Sequence, residues 1–354
     1  MKKNKTLILV PSSKIAGGVS NYYQVLKPYL GNGFDYMTRG RRVRIKKFDK
    51  AILLLCYVLD YIHFFIKIPF YGSVIINHSL AKEAMYRDAI YIRIARLFKK
   101  NVTVFFRGLD PKIQDQIDNG EVSGYKNHLF LADRMIVLSS KFERKLYDWG
   151  FKGQVIKETT IVDPHLLTKK VDSTIIKEKK QILFLSRVEK YKGVYELLEA
   201  FQLLQKKVDN VQLVIAGDGS ALENLKVLVE HKNIDNVSFP GFVKGEAKAN
   251  LLSNSDLFVF PSYAEGMPNA ILEAIAFGLP IITSDVGGIP DIFEDTKNGC
   301  MTSDIAPDNL ASLMGKMLMD SNELHNISEY NKSVASVYYA DNVALRIKKT
   351  FHDE

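Results

Sequence analysis

Short apolar runs alternate with amphipathic segments along the whole chain. In the first half, Thr6–Val10, Phe34–Met37, Val74–Asn77, Val102–Phe106, Arg134–Leu138 and Gln154–Lys157 read as strands. Between them, helical segments run over Ser20–Leu30, over Lys82–Leu97 and from Ser139–Ser140 to Trp149, the last with a serine placed to cap it. From Leu167 to Lys180 the chain is charged and loses its apolar period, as a linker does. A second series follows, with strands at Gln181–Leu185, Val211–Ala216, Val237–Pro240, Leu257–Phe260 and Pro280–Thr283 and helices from Gly193 to Lys206 and from Asn269. Three helical segments close the chain: Asn309–Met319, Leu324–Tyr338 and Ala340–Phe351. Strands alternating with helices predict α/β architecture with parallel sheets, and two such series in 354 residues predict two domains.

One segment breaks the alternation. Ala51–Ile68 is almost wholly apolar and is preceded by the basic run Arg39, Arg41, Arg42, Arg44, Lys46, Lys47 and Lys50. It is just long enough to cross a bilayer. Against a span, Asp60, His63 and Lys67 recur at helical spacing and Pro69 closes the run. A helix with a narrow polar stripe beside a basic cluster is expected on a membrane surface or inside a domain.

Composition narrows the classes. The net charge of +8 suits nucleic acid, anionic lipid or anionic small molecules. No zinc-type spacing and no aromatic–basic nucleic-acid signature is present, which leaves membrane surface and nucleoside diphosphate. Cys56 and Cys300 are far apart in apolar surroundings and read as core residues of a reduced, cytosolic protein. The apolar run Leu7–Val10 is too short for a signal peptide's core, so it is expected to be the first strand.

Candidate chemistry concentrates in Phe258–Pro290, FVFPSYAEGMPNAILEAIAFGLPIITSDVGGIP. A strand stopped by Pro261 leads into a loop carrying Glu265, then a helix carrying Glu273. Loops after strands sit at the ligand edge of a parallel sheet. A helix start offers free amides from Gly266 onward that suit a phosphate, and a carboxylate there accepts hydrogen bonds from paired sugar hydroxyls. On spacing alone the two glutamates could equally be a solvated loop acid and a helix-dipole acid. Arg187 and Lys192 flank the loop after Gln181–Leu185, where two cations can meet a departing diphosphate; a solvated basic loop is the competing explanation. Gly17-Gly18 lies at a strand-to-helix turn and lets backbone approach a ligand, or simply makes the turn. His78 and Arg107 stand at carboxyl ends of strands.

The string EGMPNAILEA, a Glu–seven residues–Glu pair, followed by GLPIITSDVGGIPD and joined by SRVEKYKG, resembles the nucleotide-sugar-dependent glycosyltransferases of the GT-B fold, specifically the large retaining family 4, the glycosyl transferases group 1. The likeness covers most of the second half and little of the first. It implies two Rossmann-like doubly wound domains facing across a cleft: residues 1–166 on the acceptor side, 167–338 binding the nucleotide sugar, and 339–354 a helix returning to the first domain. It implies that Arg187 and Lys192 hold the phosphates, Glu265 the sugar and Glu273 the ribose. Gly266, Met267, Pro268 and Asn269 would cover sugar and phosphate, Val243 would read the base, and Gly17 and Gly18 would face the donor.

Members of the family often carry His–Gly or His–Asp where this chain has Arg107-Gly108. Arg107 is therefore expected to meet an anionic acceptor, with His78 on the same side. No Asp-x-Asp triplet occurs, so no metal and no cofactor is expected. The expected partners are a nucleotide sugar, a glycan or lipid-linked acceptor and an anionic membrane surface on the cytoplasmic side, with no nucleic acid. An epimerase or phosphorylase of the same architecture, or a non-catalytic nucleotide-binding scaffold, are the rival expectations.

Overall fold

A computed structural model describes residues 5–14, 17–40, 49–169 and 178–352. The basic stretch 41–48 and most of the expected linker, 170–177, lie outside the described residues. The chain divides into two compact units, one of Met1–Thr159 with Ala340–Glu354, the other of Thr160–Tyr339. The division falls at Thr159/Thr160, earlier than the boundary at 166 expected from charge composition.

The first unit runs β1 (Thr6–Val10), α1 (Gly18–Leu30), β2 (Phe34–Thr38), α2 (Asp49–Lys67), β3 (Ser73–Leu80), α3 (Lys82–Leu97), β4 (Asn101–Leu109), α4 (Pro111–Asp118), α5 (Ser123–Leu129), β5 (Arg134–Val137), α6 (Ser140–Asp148) and β6 (Gln154–Lys157). Its sheet is parallel, in the order β2-β1-β3-β4-β5-β6, so the strand order reverses between β1 and β3. Leu7, Leu9, Val74, Ile76, Val102 and Val104 bury one face of it completely. Ser139 caps α6 as its position suggests, accepting from Phe142 N at 3.1 Å.

The second unit begins with the short helix α7 (Pro164–Leu167). It continues β7 (Lys180–Leu185), α8 (Val194–Leu204), β8 (Val211–Ala216), α9 (Leu222–His231), β9 (Val237–Gly241), α10 (Gly245–Ser253), β10 (Leu257–Phe260), α11 (Asn269–Ala276), β11 (Ile281–Ser284), β12 (Gly299–Thr302), α12 (Pro307–Met319) and α13 (Ser321–Val334). Its sheet, also parallel, has the order β12-β11-β10-β7-β8-β9, with the reversal between β7 and β10. Open α/β sheets bind ligands at such a reversal, outside the carboxyl ends of the strands. β12 carries no apolar alternation, and its pairing with β11 alone makes it a strand.

The last helix, α14 (Ala340–His352), belongs to the first unit and packs on α1. Arg346 grips Glu158 with two bonds of 2.8 and 2.9 Å, and Arg134 Nη1 donates to Thr350 O at 2.8 Å.

α2 is turned the opposite way from the usual amphipathic helix. Asp60, Phe64 and Ile68, one helical stripe, are all 0% exposed. Asp60 Oδ2 accepts from Gly40 N at 2.7 Å, and the Tyr61 and Phe64 rings pack on Tyr91 of α3. The expected polar stripe is therefore split, with Asp60 in the core while His63 faces outward. Leu54, Leu55, Leu59, Ile62, Phe65 and Ile66 point to the outside, with Leu54 65% exposed. Cys56 and Cys300 are half-buried rather than core residues.

Candidate active site

Two loops meet at the β7/β10 reversal. After β7 the chain passes Arg187 and makes a single 3-10 turn, Lys190–Lys192, that ends in Gly193 with φ of 70°. A Cβ on Gly193 would lie 2.0 Å from Pro261 O, so only glycine lets this turn press against the end of β10. Tyr263 N donates to Tyr191 O at 2.9 Å and seals the two loops together. Gly287, in the loop after β11, has φ of 61°, and a Cβ there would meet Glu265 O at 2.0 Å. The Glu265 loop is thus clamped from both sides by backbone.

That clamp brings Lys192 and Glu265 into direct contact. Lys192 Nζ donates to Glu265 Oε1, and both side chains are more than nine-tenths buried. The ammonium also lies 5.5 Å from the centre of the Phe260 ring. Arg187 is exposed, and its Nη2 donates to Tyr191 Oη. Glu273, in the middle of α11, is 8% exposed and accepts from Lys248 Nζ of α10 at 2.6 Å. Each glutamate of the Glu–seven–Glu pair therefore has its own lysine. Tyr263 Oη donates to Glu196 Oε1 at 2.6 Å, and this bond, more than burial, pushes the phenol up to about 12.

Gly266 to Pro268 form the turn that leads into α11. Pro268 precedes the first residue of α11, and Met267 is buried with its sulfur accepting from Thr160 N at 3.2 Å. A Cβ at Gly266 would meet nothing within 4 Å, and the same holds at Gly18; at Gly17 it would meet only Ser20 Oγ at 3.6 Å. None of these three has a left-handed φ and a Cβ would fit at each, so the local fold does not demand glycine there. Val243, half-buried, follows β9 at the same edge as Arg187.

In the first unit the predicted residues fare unequally. His78 is 1% exposed, its Nδ1 2.8 Å from Asp88 Oδ2 and its ring edge-on to Phe106. It sits in the core and cannot touch a ligand while so held, which corrects the expectation of a ligand-edge histidine. Arg39, read from the sequence as part of a surface basic run, is likewise buried, donating to Asp88 Oδ1 and Asn77 O. Arg87 Nε adds a bond to Asp88 of 2.7 Å. Burial opposes ionisation of Asp88, but Arg39, His78 and Arg87 outweigh it and hold the carboxyl far below the usual carboxylate range. Arg107 is half-buried at the end of β4.

Sequence reasoning passed over Lys248, Tyr191, Asn77 and Asp88. Lys248 lies in a polar helix that reads as solvated, and Asp88 lies mid-helix on α3, where nothing in the spacing marks it as the centre of a charge cluster.

The model of the family described as "Glycosyl transferases group 1" matches residues 168–334, all within the second unit. The amylovoran biosynthesis glycosyltransferase AmsK of Erwinia amylovora is 24% identical over 72% of this chain and 62% of its own length. The chain spans 43–47% of the length of the first four curated relatives it matches. Sucrose-phosphate synthase from Thermosynechococcus elongatus superposes with a TM-score of 0.78 at 18% identity, covering 99% of this chain and 98% of the other. Anabaena HepE, solved in complex with UDP, superposes at 0.76 with 18% identity, over 99% of this chain and 100% of the other. Two parallel six-stranded sheets with these likenesses have the GT-B fold, and residues 168–334 match the glycosyl transferases group 1 family.

Proposed function

We propose that the protein is a retaining glycosyltransferase that moves a sugar from a nucleoside diphosphate sugar to a glycan or lipid-linked acceptor in surface polysaccharide or glycolipid synthesis. The buried Lys192–Glu265 pair at the β7/β10 reversal carries this reading. A carboxylate held there can accept from sugar hydroxyls, and the lysine beside it, with Arg187, can meet the diphosphate. As the bond from the sugar's anomeric carbon to the phosphate oxygen breaks, negative charge grows on the leaving diphosphate. Fixed cations stabilise that charge more than they stabilise the intact donor.

Retention follows from a front-face route. The acceptor oxygen bonds to the anomeric carbon on the side the diphosphate leaves, and the departing phosphate oxygen takes the acceptor's proton. Glu273 holds the ribose, oriented by Lys248, the amides of Gly266 to Asn269 cover sugar and phosphate, and backbone near Val243 reads the base. The open turn at Gly17 and Gly18 gives the donor room. The reaction runs without a divalent metal, the two cations doing the metal's electrostatic work. HepE was solved with UDP-glucose as well as UDP, which favours a uridine donor here.

The outward apolar face of α2 favours a peripheral position on the cytoplasmic side of a membrane. The helix is long and apolar enough to cross one by length and composition. Asp60, Phe64 and Ile68, however, commit one stripe of it to the first unit's core, so it lies flat with the other stripe in lipid.

Thermal shift against UDP, GDP and their sugars tests the donor reading, since a bound donor stabilises the fold. Stabilisation by a uridine diphosphate sugar is expected; no shift with any nucleoside diphosphate would overturn it. Incubation with donor, with and without inorganic phosphate but with no sugar acceptor, separates transfer from epimerisation, which needs neither, and from phosphorolysis, which needs the phosphate.

A further inference from the structure

Among the described residues Arg107 is a cation without a counterion. The β3–β4 ladder pairs His78 with Phe106 and then Ser79 with Gly108, so Arg107 is the extra residue of a bulge. Bulges bend a strand and re-aim one side chain, often beside a functional site. Here the guanidinium lies over the rings of Phe105 and Tyr22, 3.5 and 3.8 Å from their centres, and its Nε donates to Asn77 Oδ1 at 2.9 Å. Asn77 is itself fixed, its Nδ2 donating to Leu9 O at 2.9 Å and its Oδ1 accepting from Tyr23 Oη at 3.1 Å. The planar group is therefore locked in place before any ligand arrives.

Arg39 and Arg87 share Asp88, and Arg346 has Glu158. Among the described residues no carboxylate lies within ion-pair distance of Arg107. Its Nη2 and Tyr22 Oη are both buried, and neither makes a hydrogen bond of good geometry, the phenol's polar neighbour being the Arg107 guanidinium itself. Burial pushes the Tyr22 phenol up, so it stays neutral and supplies no negative charge. A desolvated guanidinium with an unmade bond is costly, and an anion with two oxygens relieves both costs at once.

We propose that Arg107 is an anion subsite, reading a phosphate or carboxylate carried by one of the substrates. The proposal rests on the sugar-transfer reading for what those substrates are. Two sources fit the chemistry: a carboxylate on the donor's sugar, or a phosphate on the acceptor.

Calorimetry on the full chain and on Arg107→Gln distinguishes them. One arm compares UDP-glucuronate with UDP-glucose; the other compares geranyl diphosphate with geraniol. In the arm that names the source, wild type binds the charged probe at least tenfold tighter than its neutral counterpart, and Arg107→Gln erases that preference. Arg107→Lys keeps part of it, because a point charge remains while the flat, two-pronged donor is lost; it also gives the readout if the glutamine variant does not fold. Equal affinity for charged and neutral probes in both arms, or a preference that survives Arg107→Gln, overturns the proposal. UDP binding by wild type and variant is measured alongside. Its loss in wild type sinks the transferase reading, while the geranyl diphosphate comparison still judges Arg107.

Discussion

The two units share one plan, a six-stranded parallel sheet with a single reversal, yet they treat charge in opposite ways. At the reversal of the second sheet, Lys192 is matched to Glu265, and on α11 Glu273 is matched to Lys248. These charges are balanced in the free protein, so a donor must take over contacts that already exist. The first unit sets the buried Arg39 and the half-buried Arg87 against one carboxylate, Asp88, and among the described residues leaves Arg107 with none. Apolar surface divides the same way. α8 buries Val194, Leu197, Leu198, Phe201 and Leu204, whereas α2 turns a row of leucines, isoleucines and a phenylalanine outward. A layer architecture can thus pair its buried charges in one copy and present an unmatched cation and an apolar face in the other.

The comparison breaks most sharply at Asp88. Asp88→Asn leaves the buried Arg39 and the half-buried Arg87 without their carboxylate, and removing one partner of a buried pair costs about 3–5 kcal/mol. Hydrogen exchange should show the loss across β3, β4 and α3, while UDP protects the second unit as in wild type; uniform loss in both units would mean that they do not fold separately. The pH dependence has a definite sign. Asp88's folded pKa is depressed, so its stabilisation is complete above roughly pH 4, the unfolded value, and is lost as pH falls below it. Urea unfolding of wild type should weaken below that pH by a share that Asp88→Asn no longer shows.

Next in size are the second unit's cations. Lys192→Ala and Arg187→Ala should each slow turnover about a hundredfold or more, the cost of losing a preorganised partner for developing charge. Both variants within a few-fold of wild type would remove the phosphate assignment. Lys192→Ala also strands Glu265, so Glu265→Gln in the same background should recover part of any stability lost but none of the rate.

A smaller effect is expected on α2. Leu55→Glu with Ile62→Glu should weaken binding to anionic vesicles about tenfold and leave UDP affinity unchanged. Gln at Arg41, Arg42 and Arg44 should remove only the salt-sensitive part, about 1 kcal/mol per charge near the surface. Arg39 is left out because it holds Asp88. Wild type that ignores such vesicles at low salt would turn the apolar face into a protein contact instead. The smallest change concerns metal. EDTA should leave turnover within about twofold, and a loss restored by magnesium would show that Arg187 and Lys192 do not carry the leaving-group charge alone.

The alternation of short apolar runs with helical segments determined the two parallel sheets nearly strand for strand, because a strand buried on both faces must be apolar along its whole length. The loop glutamate, its lysine and Arg187 were legible because glycine, proline and charge fall at fixed offsets from those strands. Three features were not legible. β12 needed a partner strand to define it. Lys248 meets Glu273, and His78 meets Asp88, only when separate helices and strands pack. α2 showed the composition of an amphipathic or buried helix, but which stripe faces inward is decided by what lies beneath it: Gly40's amide takes Asp60, and Tyr91 takes Phe64. Local pattern dictates local structure through covalent geometry and burial, whereas the pairing of distant charges depends on distances that exist only once the sheets have formed.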